Sequence, residues 1–203
     1  MPAKSYNFSS TGIPIPGAGN LCSKAYELIK EDFNIDPVSI HLHKIISIGA
    51  GLGGGSADAS FTLKCLNEIY GLGLESKKLE RYAAQLGSDC PFFINNKPVL
   101  ASETGTTFSQ VQIDLKDKYL VLLNPGIHVS TAEAYAGVTP KQTDTHIEQI
   151  LALPLSKWQG ALNNDFEVSV FKKYPHIKNI KESLIQIGAT YASMSGSGST
   201  VFG

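Results

Sequence analysis

The stretch Gly49–Asp58 reads GAGLGGGSAD and carries the strongest structural signal in the chain. Five of its first seven positions are glycine, and it follows the apolar segment Val38–Ile48. Because apolar residues then recur at helical spacing, the pattern predicts a strand, a glycine-rich turn and a helix. Glycines let backbone N–H groups close around an anion, and a helix N-terminus favours negative charge. The sequence therefore predicts that Gly49–Asp58, called the glycine loop below, is part of a phosphate-binding loop.

Other kinds of loop share part of this pattern. Gly49–Gly54 matches the dinucleotide fingerprint G-x-G-x-x-G, but that fold needs a second strand ending in an acidic residue about 20 positions later. Here a helix and Gly71-Leu72-Gly73 follow instead. Walker A and protein-kinase loops need lysine motifs that this stretch lacks. In a purely structural turn, no packing interaction would compensate the conformational entropy that clustered glycines lose on folding. An oxidoreductase with a dinucleotide cofactor stays the weaker alternative.

The composition is that of an ordinary globular protein with one or two domains. The 203 residues are 42% hydrophobic and 17% charged, which suffices for a core without disulfide or metal staples. The 17 Lys and Arg nearly balance the 18 Asp and Glu, so the basic footprint of a nucleic-acid binder is missing. We find neither an apolar run that could cross a membrane nor an export signal. The sequence predicts a cytoplasmic protein without a nucleic-acid or membrane partner.

Helix and strand signals alternate and predict a mixed α+β fold. Strands are predicted at 5–8, 38–48, 98–102, 107–113, 119–123, 190–194 and from 200 onward. Helices are predicted after Asn20, after the glycine loop, from Ser76 to Gly87, from a capping box of Ser130 and Glu133, from Asp144 to Leu153 and over 177–187. A weak division at 114–118 predicts two α+β halves, residues 1–114 and 115–203.

Asp89 is the candidate general base. Ser88–Phe93 reads SDCPFF and predicts a tight connection in which Phe92 and Phe93 form an apolar wall beside the carboxylate. Such a wall would suit a general base. The alternative is an aspartate that only shapes the turn.

Two further polar residues lie just after the glycines. Ser56 is either the helix cap or a ligand of a phosphate oxygen or Mg²⁺. Asp58 is expected to stabilise the helix dipole. His41 and His43 share a strand face and are expected to be solvated. No histidine shows metal-ligand spacing with acidic residues, and the cysteines show no C-x-x-C, so no metal held by protein ligands is predicted.

Five ordered motifs resemble the successive signatures of the GHMP kinase superfamily. They are Gly49–Asp58, Gly87–Phe93, Pro125–Thr131, Asn163–Glu167 and Met194–Ser199. They are most similar to the branch that phosphorylates the 2-hydroxyl of a cytidine diphosphate-linked methylerythritol in non-mevalonate isoprenoid biosynthesis. The resemblance covers nearly all of residues 12–203. It implies a two-domain α+β kinase fold.

The resemblance also implies roles for individual residues. Asp89 would take the proton of the substrate hydroxyl, with ATP and Mg²⁺ as cofactors and a small-molecule alcohol as partner. The substrate would be approached by Thr131, Gly196, Ser197 and Gly198. The ATP phosphates would be wrapped by the phosphate loop, which consists of Ser47, Ile48, Gly49, Ala50, Gly51, Leu52, Gly53, Gly54, Gly55, Ser56 and Ala57. Backbone amides on the phosphates and one aspartate on the nucleophile are a chemically coherent minimum for phosphoryl transfer.

The chain departs from the family pattern in three places. Ser47 stands where the family loop begins with proline. The N-terminal segment with Ala-Lys-Ile-Asn and Asp-Gly-Tyr-His is not found before Asn20, and Lys4 lies too close to Asn20 to be the family's lysine. A last strand and helix are expected after Gly203. The chain is therefore expected to be truncated at both ends, and a catalytically silent nucleotide-binding protein is the alternative to an active kinase.

Overall fold

The chain forms two compact units. A computed structural model describes residues 3–17, 19–103, 105, 107–140 and 146–203. The first unit comprises Met1–Ile48 and Gly53–Val111, and the second comprises Gly49–Leu52 and Gln112–Gly203. Four residues of the glycine loop thus group with the second unit. The predicted domain boundary between residues 114 and 115 stays a prediction.

The first unit combines a parallel strand pair, a helical layer and a hairpin. Its elements are β1 (Asn7–Gly12), α1 (Leu21–Phe33), β2 (Ser39–Lys44), α2 (Gly54–Ile69), α3 (Ser76–Leu86), α4 (Cys90–Asn95), β3 (Val99–Ser102) and β4 (Thr107–Gln110). β1 pairs with β2 in parallel, and β3 pairs with β4 antiparallel. The core lies between the helices and includes Tyr26, Ile29, Leu63, Leu66 and Ala83.

Helix α1 begins where the sequence predicts. The Asn20 side chain accepts a hydrogen bond from the Cys22 N–H at 2.7 Å, which satisfies one of the free amides of the first turn. The helix ends at Phe33, and its C-cap residue Asn34 has a φ of +45°, a left-handed conformation that asparagine tolerates. Its apolar face, with Ala25 and Tyr26, is fully buried. The predicted N-cap is therefore confirmed.

The second unit builds a small antiparallel sheet and several helices. Its elements are β5 (Leu122–Leu123), α5 (Thr131–Ala136), α6 (Ile147–Leu151), α7 (Phe166–Lys173), α8 (Pro175–Gln186), β6 (Ser193–Met194) and β7 (Val201–Phe202). The strand order is β5-β7-β6. Val170, Ile177, Leu184, Met194 and Val201 form its core. The mixture of helices and strands in both units confirms the predicted α+β class.

Several predicted strands have wrong boundaries. The strand predicted at 119–123 is reduced to β5, and Tyr119 is 97% exposed. The strand predicted at 38–48 ends at Lys44, and Ile45 and Ile46 are exposed. In both cases a run of apolar residues was interpreted as buried strand, although hydrophobicity alone does not show where strand pairing stops.

One predicted connection and one predicted helix cap also need correction. Ser88–Phe93 was predicted as a tight connection, but α4 begins inside it at Cys90, and Pro91 occupies a first-turn position that proline tolerates. Helix α5 follows Ser130 as predicted, yet the capping-box hydrogen bonds are not formed. Glu133 instead pairs with Lys173 at 2.7 Å, and this hydrogen bond lowers the pKa of the Glu133 carboxyl.

The helix predicted from Asp144 to Leu153 is found in part. Asp144 lies outside the described residues, and α6 covers Ile147–Leu151 of that range. In the described parts of the chain, no helix has the length and apolarity that a bilayer span requires.

Candidate active site

The glycine loop has the backbone geometry of an anion-binding turn. Gly49, Gly51 and Gly53 have φ angles of +66°, +75° and +63°, whereas Ala50 and Leu52 between them do not have positive φ. Alternation of left-handed and right-handed residues turns successive N–H groups toward one side. Because a side chain resists positive φ, the alternating glycines are required by the conformation itself.

Within the second unit, the loop is fastened to the turn Ser195–Ser199. The Ser195 hydroxyl donates to the Gly51 carbonyl at 2.7 Å, and the Thr200 N–H donates to the Ala50 carbonyl at 3.2 Å. A Cβ atom on Gly51 would lie 2.0 Å from the Ser195 carbonyl oxygen. The backbone of the loop and the backbone of the turn are therefore in direct contact, and no side chain fits between them.

Within the first unit, the loop runs into the N-terminus of α2. Gly53 is the N-cap residue, and a Cβ atom there would meet the Phe93 ring at 2.8 Å. A Cβ atom on Gly54 would meet Ile46 at 2.9 Å. Gly55 is different: it is exposed, and among the described residues only Leu21 comes within 4 Å of its Cβ position, at 3.8 Å. Neither packing nor φ explains Gly55, so the helix end is left open toward solvent.

The remaining residues of the predicted phosphate loop flank these glycines. Ser47 and Ile48 are exposed in the segment between β2 and Gly49. Ala57 lies in the first turn of α2, where its N–H donates to the Gly53 carbonyl at 2.9 Å. Their role as nucleotide ligands stays a prediction.

Ser56 does not cap α2. The helix begins at Gly54, so Ser56 lies inside the first turn. Burial raises the pKa of the nearby Cys90 thiol of α4, and the Ser56 hydroxyl acts in the opposite direction. Of the two predicted roles, the cap is wrong and the phosphate or Mg²⁺ ligand stays a prediction.

A buried ion pair beside the loop was missed by the sequence analysis. Lys44, at the end of β2, is only 4% exposed, and its Nζ lies 2.5 Å from Asp58 Oδ2. Asp58 lies in the second turn of α2, so the expectation that it stabilises the dipole from the first turn is wrong. The pair ties β2 to α2 on either side of the glycines. Nothing in the local sequence relates two residues that are 14 positions apart.

Asp89 is placed at the start of α4 with its carboxylate exposed. It is the N-cap residue of α4 but makes no capping hydrogen bond, and the Ser88 hydroxyl donates to its Oδ1 at 3.2 Å. Cys90, Pro91 and Ile94 bury their side chains, whereas Asp89 is exposed and Phe92 and Phe93 are half-buried. The apolar wall of Phe92 and Phe93 beside the carboxylate stays a prediction. The Ser60 hydroxyl of α2 donates to the Cys90 carbonyl at 2.6 Å. The base candidate is thereby attached to the helix that follows the glycine loop.

The predicted substrate residues of the second unit lie together. Thr131 is exposed at the start of α5, and its Oγ1 lies 3.5 Å from the Ser197 hydroxyl. Gly196 and Gly198 have φ angles of +54° and +89°, so glycine is required on both sides of Ser197. This arrangement presents two adjacent hydroxyl groups.

Histidines and acidic groups show no metal centre in the described ranges. No group of three or more His, Cys, Asp or Glu side chains there is arranged to hold a metal ion. His41 and His43 are exposed, as predicted, and His41 Nδ1 lies 2.9 Å from the Ser9 hydroxyl.

Two families of known proteins match the chain. The family described as GHMP kinases N terminal domain matches residues 20–97, and the family described as GHMP kinases C terminal matches residues 147–203. Between them they cover the glycine loop, the Asp89 segment and the Ser195–Ser199 turn.

Individual relatives agree with this assignment. A Cytophaga hutchinsonii protein named 4-diphosphocytidyl-2-C-methyl-D-erythritol kinase is 54% identical over 206 positions, covering 100% of this chain and 76% of that protein. A Parabacteroides distasonis protein of the same name is 50% identical, covering 97% of this chain and 73% of that protein. A crystal structure of 4-(cytidine 5'-diphospho)-2C-methyl-D-erythritol kinase is 30% identical with a TM-score of 0.83, covering 100% of this chain and 74% of that chain. The chain therefore belongs to the GHMP kinase family of small-molecule phosphotransferases.

Proposed function

We propose that the protein transfers the γ-phosphoryl group of ATP to the 2-hydroxyl of 4-diphosphocytidyl-2-C-methyl-D-erythritol. The substrate assignment is supported by the relatives named for this kinase at 54% and 50% identity. The observation that carries the phosphotransfer is the alternating positive φ of Gly49, Gly51 and Gly53, followed by the open helix end at Gly55. These residues suit a bound polyphosphate because glycines in the left-handed region let backbone amides turn toward an anion, and a helix N-terminus favours negative charge.

In the proposed mechanism, the phosphate loop holds the ATP phosphates through its backbone amides. The first-turn amides of α2 remain available, because the N-cap residue Gly53 has no side chain that could accept a hydrogen bond from them. Ser56 is the side chain of the loop that would bind a phosphate oxygen or Mg²⁺. Mg²⁺, when bound, neutralises charge on the phosphate oxygens. Positioning and charge stabilisation then supply most of the catalysis.

Asp89 is proposed as the general base. A carboxylate oxygen of Asp89 accepts the proton of the substrate 2-hydroxyl. The oxygen of that hydroxyl bonds to the γ-phosphorus, and the bond between the γ-phosphorus and the oxygen that bridges to the β-phosphate breaks to release ADP. Asp89 can take this role because its carboxylate is exposed and is not engaged as a helix cap. The hydrogen bond from Ser60 to Cys90 keeps the base at a fixed place on the first unit.

Thr131 and the turn with Gly196, Ser197 and Gly198 are proposed to bind the substrate. The neighbouring hydroxyls of Thr131 and Ser197 offer both donors and acceptors to a polyol or diphosphate. The cytoplasmic location and the absence of nucleic-acid and membrane partners stay predictions.

Nucleotide binding is tested by thermal unfolding with MgATP. A ligand that binds the folded state at about 100 times its Kd adds about 2.7 kcal/mol to the free energy of unfolding, so the midpoint should rise. Gly55→Ala should lose most of this rise, because its methyl group would stand over the open helix end. Without ATP, the same substitution should raise the free energy of unfolding by about 0.5–1 kcal/mol, as Gly to Ala does inside a helix.

Gly19→Ala is the matched control. Its Cβ position is free of described atoms within 4 Å and its φ is not positive, but it lies before α1 rather than in the loop. It should leave the MgATP shift unchanged. A midpoint raised by NAD and not by MgATP would contradict the assignment and favour the dinucleotide alternative.

A further inference from the structure

We propose that Asn164 and Glu167 are positioning residues of the phosphate loop, which act by fixing the Ser195–Ser199 turn to which Gly51 is fastened. The inference rests on the function proposed above for the loop. The hydrogen bonds that carry it join Asn164, Glu167 and the Ser195–Ser199 turn to Ala50 and Gly51, and all of these residues belong to the second unit. The side chains of Asn164 and Glu167 belong to the motif Asn163–Glu167, whose role does not follow from the sequence pattern.

Glu167 is a buried carboxylate that holds the strand leading into the turn. Its Oε1 accepts hydrogen bonds from the Met194 N–H at 2.8 Å and the Ser193 hydroxyl at 3.2 Å. Its Oε2 lies 2.5 Å from Lys181 Nζ of α8. The residue is only 8% exposed, so the charge needs all of these partners. Glu167 thereby fixes the backbone of β6 to α7 and α8.

Asn164 holds the first half of the turn itself. Its Nδ2 group donates to the Met194 carbonyl at 2.7 Å and to the Gly196 carbonyl at 2.8 Å. Its Oδ1 accepts from the Phe166 N–H at 3.0 Å, which fixes the side chain at the start of α7. Both donor hydrogens of the amide are therefore used on the two backbone carbonyls that flank Ser195.

Ser195 connects the turn to the glycine loop. Its hydroxyl donates to the Gly51 carbonyl at 2.7 Å, and the fully buried Thr200 donates from its N–H to the Ala50 carbonyl. Because a Cβ atom on Gly51 would lie 2.0 Å from the Ser195 carbonyl oxygen, the two backbones have no free space between them. A shift of the turn must therefore move the loop. A misplacement of about 1 Å is enough to cost about 100-fold in catalysis.

A purely structural role would give the same hydrogen bonds but a different response to substitution. In that case, loss of Asn164 would lower stability as any core substitution in this unit does. Val170 provides that comparison, because it is buried in the same core on α7 and is not hydrogen-bonded through its side chain. If Asn164 positions the loop, its substitution should change amide exchange in the loop and MgATP affinity, whereas Val170→Ala should change neither.

The test compares Asn164→Ala, Asn164→Asp and Glu167→Gln with Val170→Ala in the full chain. Amide hydrogen exchange is followed in the ligand-free protein over residues 47–57 and 194–200, and MgATP affinity is measured by calorimetry well below each melting temperature. Asn164→Asp keeps the acceptor for Phe166 but loses both donations to the turn. Both Asn164 variants should therefore speed exchange in 47–57 and weaken MgATP by about 10-fold or more. Glu167→Gln, which keeps the shape but loses the charge, should show the same change to a smaller extent.

Val170→Ala should lower the melting temperature and leave exchange in 47–57 and the MgATP affinity unchanged. The proposal is overturned if the Asn164 variants behave like Val170→Ala in both measurements. If the unsubstituted chain binds no MgATP, the proposed function fails. In that event the exchange rates of the ligand-free protein still decide whether Asn164 positions the loop.

Discussion

Asp89→Asn is expected to lower kcat by about 100- to 10,000-fold while MgATP affinity stays within about threefold. Asparagine keeps the shape of the side chain and can still accept the hydrogen bond from Ser88, but it cannot take a proton. Because the carboxylate is exposed and caps nothing, its replacement should not disturb α4. Steady-state kinetics over a range of pH measure the effect, and the acidic limb of the rate profile should disappear.

Asp117→Asn is the matched control for that substitution. Asp117 is also exposed, and its φ of +60° is one that asparagine adopts readily. This variant should keep kcat and its pH profile. Asp89 would instead be a structural residue if Asp89→Asn lost stability and MgATP binding together while turnover per folded molecule stayed normal.

Gly51→Ala should abolish measurable MgATP binding, with an affinity loss of about 100-fold or more. The new Cβ would lie 2.0 Å from the Ser195 carbonyl oxygen, so either the loop or the turn must move. The φ of +75° adds backbone strain of about 1–3 kcal/mol for a residue with a side chain. Calorimetric titration measures the loss of MgATP affinity, and the thermal midpoint measures the loss of stability.

Gly126→Ala separates backbone strain from the clash. Gly126 belongs to the same unit and has a φ of +71°, but no described atom lies within 4 Å of its Cβ position. It should lose stability through strain and keep MgATP binding. Equal MgATP affinity in the two variants would show that the contact between Gly51 and Ser195 does not matter for the nucleotide.

The glycine loop could be predicted from the sequence because its signal is local. Alternating glycines match alternating positive φ at Gly49, Gly51 and Gly53, and the helix follows directly. Of the two roles considered for Ser56, the helix cap would start the helix too late, because α2 begins at Gly54. Gly54 and Gly55 have no side chain that indicates a helix, so local propensity does not show that the helix has already begun.

Contacts between distant residues could not be predicted in the same way. Lys44 and Asp58 are 14 positions apart, as are Glu167 and Lys181, and each pair forms only because separate elements pack together. The exposure of Asp89 depends likewise on which residues of α4 turn toward the core. Which distant residues pair and which residues face the core therefore becomes visible only in the tertiary structure.

Phosphorus NMR of the reaction tests the proposed kinase most directly. The protein is incubated with ATP, Mg²⁺ and 4-diphosphocytidyl-2-C-methyl-D-erythritol. A new phosphomonoester signal should appear together with ADP in equal amounts, and Asp89→Asn should suppress both. Binding of MgATP without any phosphomonoester would contradict the proposed kinase and favour a catalytically silent nucleotide-binding protein.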